Sequence, residues 1–229
     1  MVLIELRKSF SSMQVDILTS NTDHPGLADI KKSLQFDTFR TQLSVAITDD
    51  VTRLRGKGIL FLVSYQRKLN LFEYPEYDHV IVFHASDLPK GRGWSPYVWD
   101  ILQGAQMITV CAIDAGEEID SGDIWSKATF NVAKTDLLKD VLERISSVQL
   151  ELMLEVISMI RSGEGPVPQD PHTDATYYPK RTPEDSYLDP DKTLNQLFDQ
   201  IRMSDPHRFP AILDIHGAKF KIIMERIND

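Results

Sequence analysis

His84 closes an apolar run, residues 79–83, and opens a loop rich in Gly and Pro, "ASDLPKGRGWSP" (85–96). Asp120 lies 36 positions further on, in a second loop, "DAGEEIDSGDI" (114–124), with Asp114, Glu117, Glu118 and Asp123 around it. An imidazole beside a carboxylate is a proton-transfer unit: the ring can take and give a proton near neutral pH, and the carboxylate orients it. The same residues fit a second reading. In it His84 is a strand-end histidine bonded to a backbone carbonyl, and the acids form a solvated loop. The residue pattern alone leans to this second reading. No H-x-x-x-H or similar ligand spacing is present, so no metal site is expected. The single cysteine, Cys111, leaves no intramolecular disulfide framework, and its apolar setting, "MITVCAI", reads as a packed thiol.

Loops of this kind are positioned by strands. "QVDILTS" (14–20), "LSVAITD" (43–49), "GILFLVSY" (58–65), "HVIVF" (79–83), "MITVCAI" (107–113) and "DIWSKATFNV" (123–132) read as strands. Several are apolar on consecutive positions, which suits a largely parallel sheet covered on both faces. "GLADIKKSL" and "PYVWDILQG" have helical spacing between them. Leu138, Val141, Leu142, Ile145, Val148, Leu152, Val156 and Ile160 mark a long core-facing helix over 136–161, stopped by Gly163 and Gly165. From Pro166 the many Pro and Asp residues break all periodicity and read as a linker. Leu194, Leu197, Phe198 and Ile201 then predict a helix, and the tail a hairpin turning at His216-Gly217.

The expected fold is therefore α/β, a Rossmann-like and mostly parallel sheet with helices on both faces, followed by a small α+β subdomain. The boundaries are 1–165 for the core, 166–190 for the linker and 191–229 for the subdomain. In an open parallel sheet, loops after the carboxyl ends of strands build the ligand crevice, which would bring the two loops to one site. The chain has 229 residues, enough for this core, and carries a net charge of -9, which disfavours a long nucleic-acid partner. It shows no signal peptide and no long apolar run, so no membrane partner is expected and the expected address is the cytoplasm. The terminal hairpin is a candidate pairing edge for a homodimer.

The two loops resemble those of the folate-dependent formyltransferases, whose hallmark reads Asn-x-His-Pro-Ser-x-Leu-Pro-x-x-x-Gly with an Asp some 36 residues later. "HASDLPKGRG" supplies His84, Ser86, Leu88, Pro89 and Gly93, and "EIDSGDI" supplies Asp120. "VSYQRKL" (63–69) is similar to the family's upstream pterin segment, and "YYPKRTPEDSYLD" (177–189) to the segment joining core and C-terminal domain in the tRNA and amino-sugar branches. The resemblance covers about residues 58 to 210. It implies formyl transfer from N10-formyltetrahydrofolate to a primary amine, without a metal. His84, Asp120 and Ser86 would be catalytic. Arg67, Leu69, Ile113, Asp114, Ala115 and Glu117 would line the folate site, those near 113–119 mainly through backbone groups. Lys90, Arg92, Trp94 and Arg181 would meet the acceptor, the cations on a diphosphate. For Tyr177, Tyr178 and Arg181 packing between linker and core is the competing reading.

One position departs from the family pattern. Val82 stands where the hallmark has Asn. Removing an oxyanion donor from an otherwise unchanged site costs about 3 kcal/mol. Either another group, such as Ser86 or a backbone amide, supplies that bond, or the chain is a catalytically impaired ligand-binding homologue. The amino-terminal "MVLIELRKSFSSM" also lacks the family's usual first strand, Gly-containing loop and helix. Among acceptors, the expected one is a nucleotide-linked amino-deoxy sugar, a precursor of surface glycans such as lipopolysaccharide. The acidic chain and short stretch after "RTPEDS" argue against methionyl-tRNA, which with other amines remains the alternative.

Overall fold

The computed structural model describes residues 12–20, 22, 25–36, 43–65, 67, 69 and 76–227. The stretch 1–11, on which most of the amino-terminal reading falls, lies outside the described residues. By its contacts the chain divides into two units, residues 1–83 and 84–229.

The first unit carries β1 (Met13–Thr19), α1 (Pro25–Phe36), β2 (Leu43–Thr48), β3 (Ile59–Val63) and all but the last residue of β4 (His79–His84). β1 runs parallel between β2 and β3, pairing Val15 with Val45 and with Ile59. β4 runs parallel to β3, with Phe61 opposite Ile81. All five residues of β3 are buried, as the unbroken apolar run predicts for a strand covered on both faces. On one face Leu18, Leu60, Leu62 and Tyr77 pack with Val80 and Val82. Phe61 and Phe83 stack on the other, their centroids 5.6 Å apart. The strand period places His84 on the Val82 side.

Burying the carboxylate of Asp16 in this unit requires compensation. Arg55 supplies it through Nε at 2.6 Å and its backbone N–H at 3.0 Å, and the Tyr77 hydroxyl donates at 2.5 Å. Burial and the neighbouring Asp16 push the Tyr77 phenol up to about 12. The cluster is fully bonded and reads as architecture.

The second unit begins at His84. It contains β5 (Arg92–Gly93), α2 (Pro96–Leu102), β6 (Met107–Asp114), β7 (Ile124–Asn131), α3 (Leu138–Ser162), β8 (Tyr177–Tyr178), β9 (Tyr187–Leu188), α4 (Leu194–Arg202), β10 (Ala211–Ile215) and β11 (Ala218–Ile222). β6 and β7 form an antiparallel pair whose register shifts between Ala112 and Ile113. α3 turns Val141 and Ile145 onto Ile108, Val132 and the α2 residues Val98 and Ile101. β11, β10 and β9 form a small sheet, packed on Leu197 and Ile201 of α4. α4 starts on a capping box: Thr193 accepts from the Gln196 N–H, and the Gln196 side chain accepts from the Thr193 N–H at 2.9 Å. The β10–β11 turn lies at His216-Gly217, as expected, with positive φ at both positions.

The predicted strands and helices match these elements to within a residue or two at most ends. The expected linker is more structured than its composition suggests: β8 pairs with β5, and β9 with β10. Among the described residues no helix is long and apolar enough to cross a membrane.

Candidate active site

Every hydrogen bond around His84 follows from how two loops are folded. The first leaves β4 and reaches β5, a two-residue strand held against β8. Gly93 makes that pairing possible. Its φ is +99°, and a Cβ there would lie 2.4 Å from the Tyr178 carbonyl oxygen, so any side chain would push β5 off β8. The second loop leaves β6. Gly122 packs so tightly on it that a Cβ would fall 1.8 Å from the Asp114 carbonyl oxygen.

His84 is buried, 7% exposed. Its Nε2 lies 2.8 Å from the Gly91 carbonyl oxygen. A carbonyl only accepts, so Nε2 carries a hydrogen in this arrangement. Nδ1 faces Asp120 Oδ1 at 3.5 Å. The other oxygen of Asp120 accepts from the Gly93 N–H at 2.8 Å. Asp120 has φ +53°, a left-handed conformation that Asp tolerates better than most residues and that turns its carboxylate back on the first loop. The two loops thus share one partly buried carboxylate. His84 meets a backbone carbonyl, as the second sequence reading expects, while Asp120 is only partly exposed.

Ser86 is 2% exposed, and its hydroxyl meets no hydrogen-bond partner among the described residues. Its carbonyl accepts from the Cys111 thiol at 3.0 Å. Burial pushes that thiol up to about 11, consistent with an inert packed cysteine. Asp100, on α2, also acts electrostatically on His84. Burial raises its carboxyl above the usual range, while the Tyr178 hydroxyl and the charge of His84 oppose that rise. The Tyr178 hydroxyl donates to Asp100 at 2.7 Å and is itself pushed up to about 12, mainly by burial.

The remaining candidates are more scattered. Arg67 is exposed, and Leu69 packs against the Leu18 cluster of the first unit. In the second unit Ile113 is buried, Asp114 accepts from the Trp125 indole at 2.6 Å, Ala115 is half-buried and Glu117 exposed. Lys90 is exposed. The guanidinium of Arg92 donates to Gln169 Oε1 at 2.6 Å and to the Tyr177 hydroxyl at 3.1 Å. Lys180 lies over the Trp94 ring, 4.7 Å from its centroid, and Arg181 over Phe209 at 5.0 Å. Tyr178 stacks on Trp99, the linker–core contact that was the competing reading for these residues. Gln169 and Thr176 went unnoticed in the sequence. A glutamine and a threonine inside a Pro- and Asp-rich stretch give no local signal of the bonds they make.

No family model matches the chain. It is 32% identical over 146 residues to the methionyl-tRNA formyltransferase of Streptococcus sanguinis strain SK36, covering 63% of this chain and 46% of that protein. The chain spans about half the length of the curated relatives it matches. Its fold is that of methionyl-tRNA formyltransferase from Clostridium thermocellum, with TM-score 0.79, 21% identity and 94% of each chain covered. In sequence and in fold the chain is thus similar to formyltransferases. Two further solved structures share the fold. HypX from Aquifex aeolicus, solved with tetrahydrofolic acid, matches at TM-score 0.73 and 20% identity over 93% of this chain and 38% of its own. A likely sugar N-formyltransferase from Mycobacterium tuberculosis matches at TM-score 0.68 and 18% identity over 95% and 100%.

Proposed function

We propose that the chain transfers a formyl group from N10-formyltetrahydrofolate to a primary amine, and that the amine belongs to a nucleotide-linked amino-deoxy sugar. The observation that carries the reaction is the pairing of buried His84 with Asp120, whose carboxylate is fixed by the Gly93 N–H. In the reaction the amine nitrogen bonds to the formyl carbon, the bond from that carbon to N10 breaks, and one proton passes from the amine to N10. His84 relays that proton. Its Nε2 exchanges the Gly91 carbonyl for the reacting groups, while Asp120 holds the ring through its Nδ1 side. The formyl oxygen gains negative charge as the amine bonds, and a positioned donor there lowers the barrier. Val82 packs among apolar side chains and has no donor to offer. Ser86, with its buried and unpartnered hydroxyl, is the group we assign to that task.

For the folate, the second unit offers the loop of Ile113, Asp114, Ala115 and Glu117. Lys90 and Trp94 are assigned to the acceptor. Arg92 and Arg181 keep that assignment only as supports, since both guanidinium groups already rest on protein partners. No resident metal takes part, and the reaction is placed in the cytoplasm. The acidity of the chain favours the sugar amine, and a likely sugar N-formyltransferase shares its fold. One observation favours methionyl-tRNA as a second reading: the curated relatives reported above act, by name, on that substrate.

The test is an assay with N10-formyltetrahydrofolate against dTDP- and UDP-linked amino sugars and charged initiator tRNA. Turnover of a sugar amine that falls by roughly 100-fold or more in His84→Ala and in Asp120→Asn supports the proposal. Folate binding with no formylated product on any amine would overturn it in favour of an impaired ligand-binding homologue.

A further inference from the structure

The segment that leaves α3 returns across both catalytic loops and bonds to each. Val167 makes an antiparallel bridge with Ile124 at the end of the Asp120 loop. Gln169 Nε2 donates to the carbonyls of Asp120 at 2.8 Å and Gly122 at 2.9 Å. Its Oε1 accepts from Arg92, the first residue of β5, at 2.6 Å. One side chain therefore ties the carboxylate loop to the imidazole loop. Further along, Thr176 Oγ1 accepts from the Gly91 N–H at 2.8 Å, and the Thr176 carbonyl accepts from the Arg92 N–H at 2.8 Å. Gly91 is the residue whose carbonyl meets His84 Nε2. Thus Gln169 fixes the backbone of Asp120, and Thr176 fixes the backbone that holds the far side of the ring.

We propose that Gln169 and Thr176 are positioning residues for the His84–Asp120 pair, and that residues 167–178 act as a strap setting the separation of the two loops. The physical reason is the number of bonds each makes. Removing the Gln169 amide leaves two part-buried carbonyls without that donor and takes one of its acceptors from the Arg92 guanidinium. Removing the Thr176 hydroxyl leaves the Gly91 N–H without its acceptor. Either change loosens a contact at 3.5 Å that has no slack to lose. A catalytic group displaced by about 1 Å can lose about 100-fold in rate. The proposal rests on formyl transfer for its kinetic arm only, since the geometry of the ring can be read without turnover.

The experiment uses the full chain with Gln169→Leu, Thr176→Val and Thr176→Ser. Ring nitrogen resonances of His84, assigned by their absence in His84→Gln, are followed through a pH titration. The carboxylates acting on the ring are Asp120 and Asp100. Gln169→Leu and Thr176→Val should each shift the His84 resonances and their titration midpoint, and lower kcat about 10- to 100-fold with KM within about twofold. Thr176→Ser keeps the acceptor oxygen and should restore both. Should Gln169→Leu fail to fold, Gln169→Asn, with the amide one methylene short, takes its place with the same readouts. Unchanged His84 resonances in the folded Gln169 and Thr176→Val variants overturn the strap. If the wild-type chain formylates nothing, the proposed activity fails, and the resonances still decide the strap.

Discussion

At the residue scale, the imidazole of His84 is engaged on both nitrogens, and what distinguishes it is the fixity of its partners. A carboxylate held by the Gly93 N–H cannot swing away, so Asp120→Asn should fold normally and lose rate. Near-native thermal unfolding beside a loss of roughly 100-fold in kcat would fit that role. Cys111 provides a contrast. With its thiol pushed up to about 11 by burial, it stays protonated through the physiological range. Alkylation by iodoacetamide at pH 8 should be slow in the native chain and fast in urea, as mass spectrometry of timed samples would reveal. Equal rates in both states would remove the packing assignment. The strand end and the loop at position 84 were legible from the residue pattern, whereas the 36-residue step to Asp120 carried meaning only through the resemblance. Ser86 was legible only through resemblance, since a serine in a polar loop carries no signal of burial.

At the scale of elements, two devices hold the second unit together away from the site. Asp136 is buried before α3, where its carboxylate is bonded to Arg144 and accepts from the Ala133 N–H at 2.6 Å. The Arg144 guanidinium holds the carboxyl below its usual range. A lowered folded value means the stabilisation is complete above the ordinary carboxylate range and fades as the pH drops through the lowered folded value. Asp136→Asn should therefore lower stability at neutral pH, by about 1–2 kcal/mol, because solvent around the part-exposed Arg144 screens the pair. Its Tm should also vary less than that of the wild type as the pH falls. A parallel loss of Tm in both proteins across that range would sink the assignment. The α4 capping box is expected to be worth less: Thr193→Ala should cost about 1 kcal/mol in urea titrations. The main elements were readable because apolar periodicity reports burial directly. β5, β8 and β9 were not, since two-residue strands have no period to read. The pairing of β5 with β8 depends on Gly93 approaching Tyr178, a contact between positions 85 residues apart.

For the molecule as a whole, charge separates the acceptor readings. A net charge of -9 disfavours a phosphate-backbone partner, so affinity for bulk tRNA should be low and nearly flat across a salt series. Steep salt dependence in a filter-binding assay would turn the assignment toward methionyl-tRNA. The homodimer expected through the terminal hairpin meets a similar electrostatic test. β11 carries Lys219 and Lys221 on one face and Phe220, half-exposed, on the other. Antiparallel pairing of two copies centred on Phe220 would oppose lysine to lysine. Such a dimer should be favoured by salt in sedimentation experiments, because screening weakens that repulsion. The α/β class and mostly parallel strand order were readable from the unbroken apolar runs. The division at residue 83 was not, because it cuts through a strand that looks continuous.

The strap is mostly exposed between Gly163 and Tyr177 and contains little regular structure. A protease would meet it before any core element. One cut between Gln169 and Thr176 should leave the fragments associated and the molecule compact, yet let the two loops drift apart. Purified material nicked there would elute as intact protein and still be inactive. Intact mass, measured alongside chromatographic homogeneity, is therefore the quality control that a turnover assay on this chain requires.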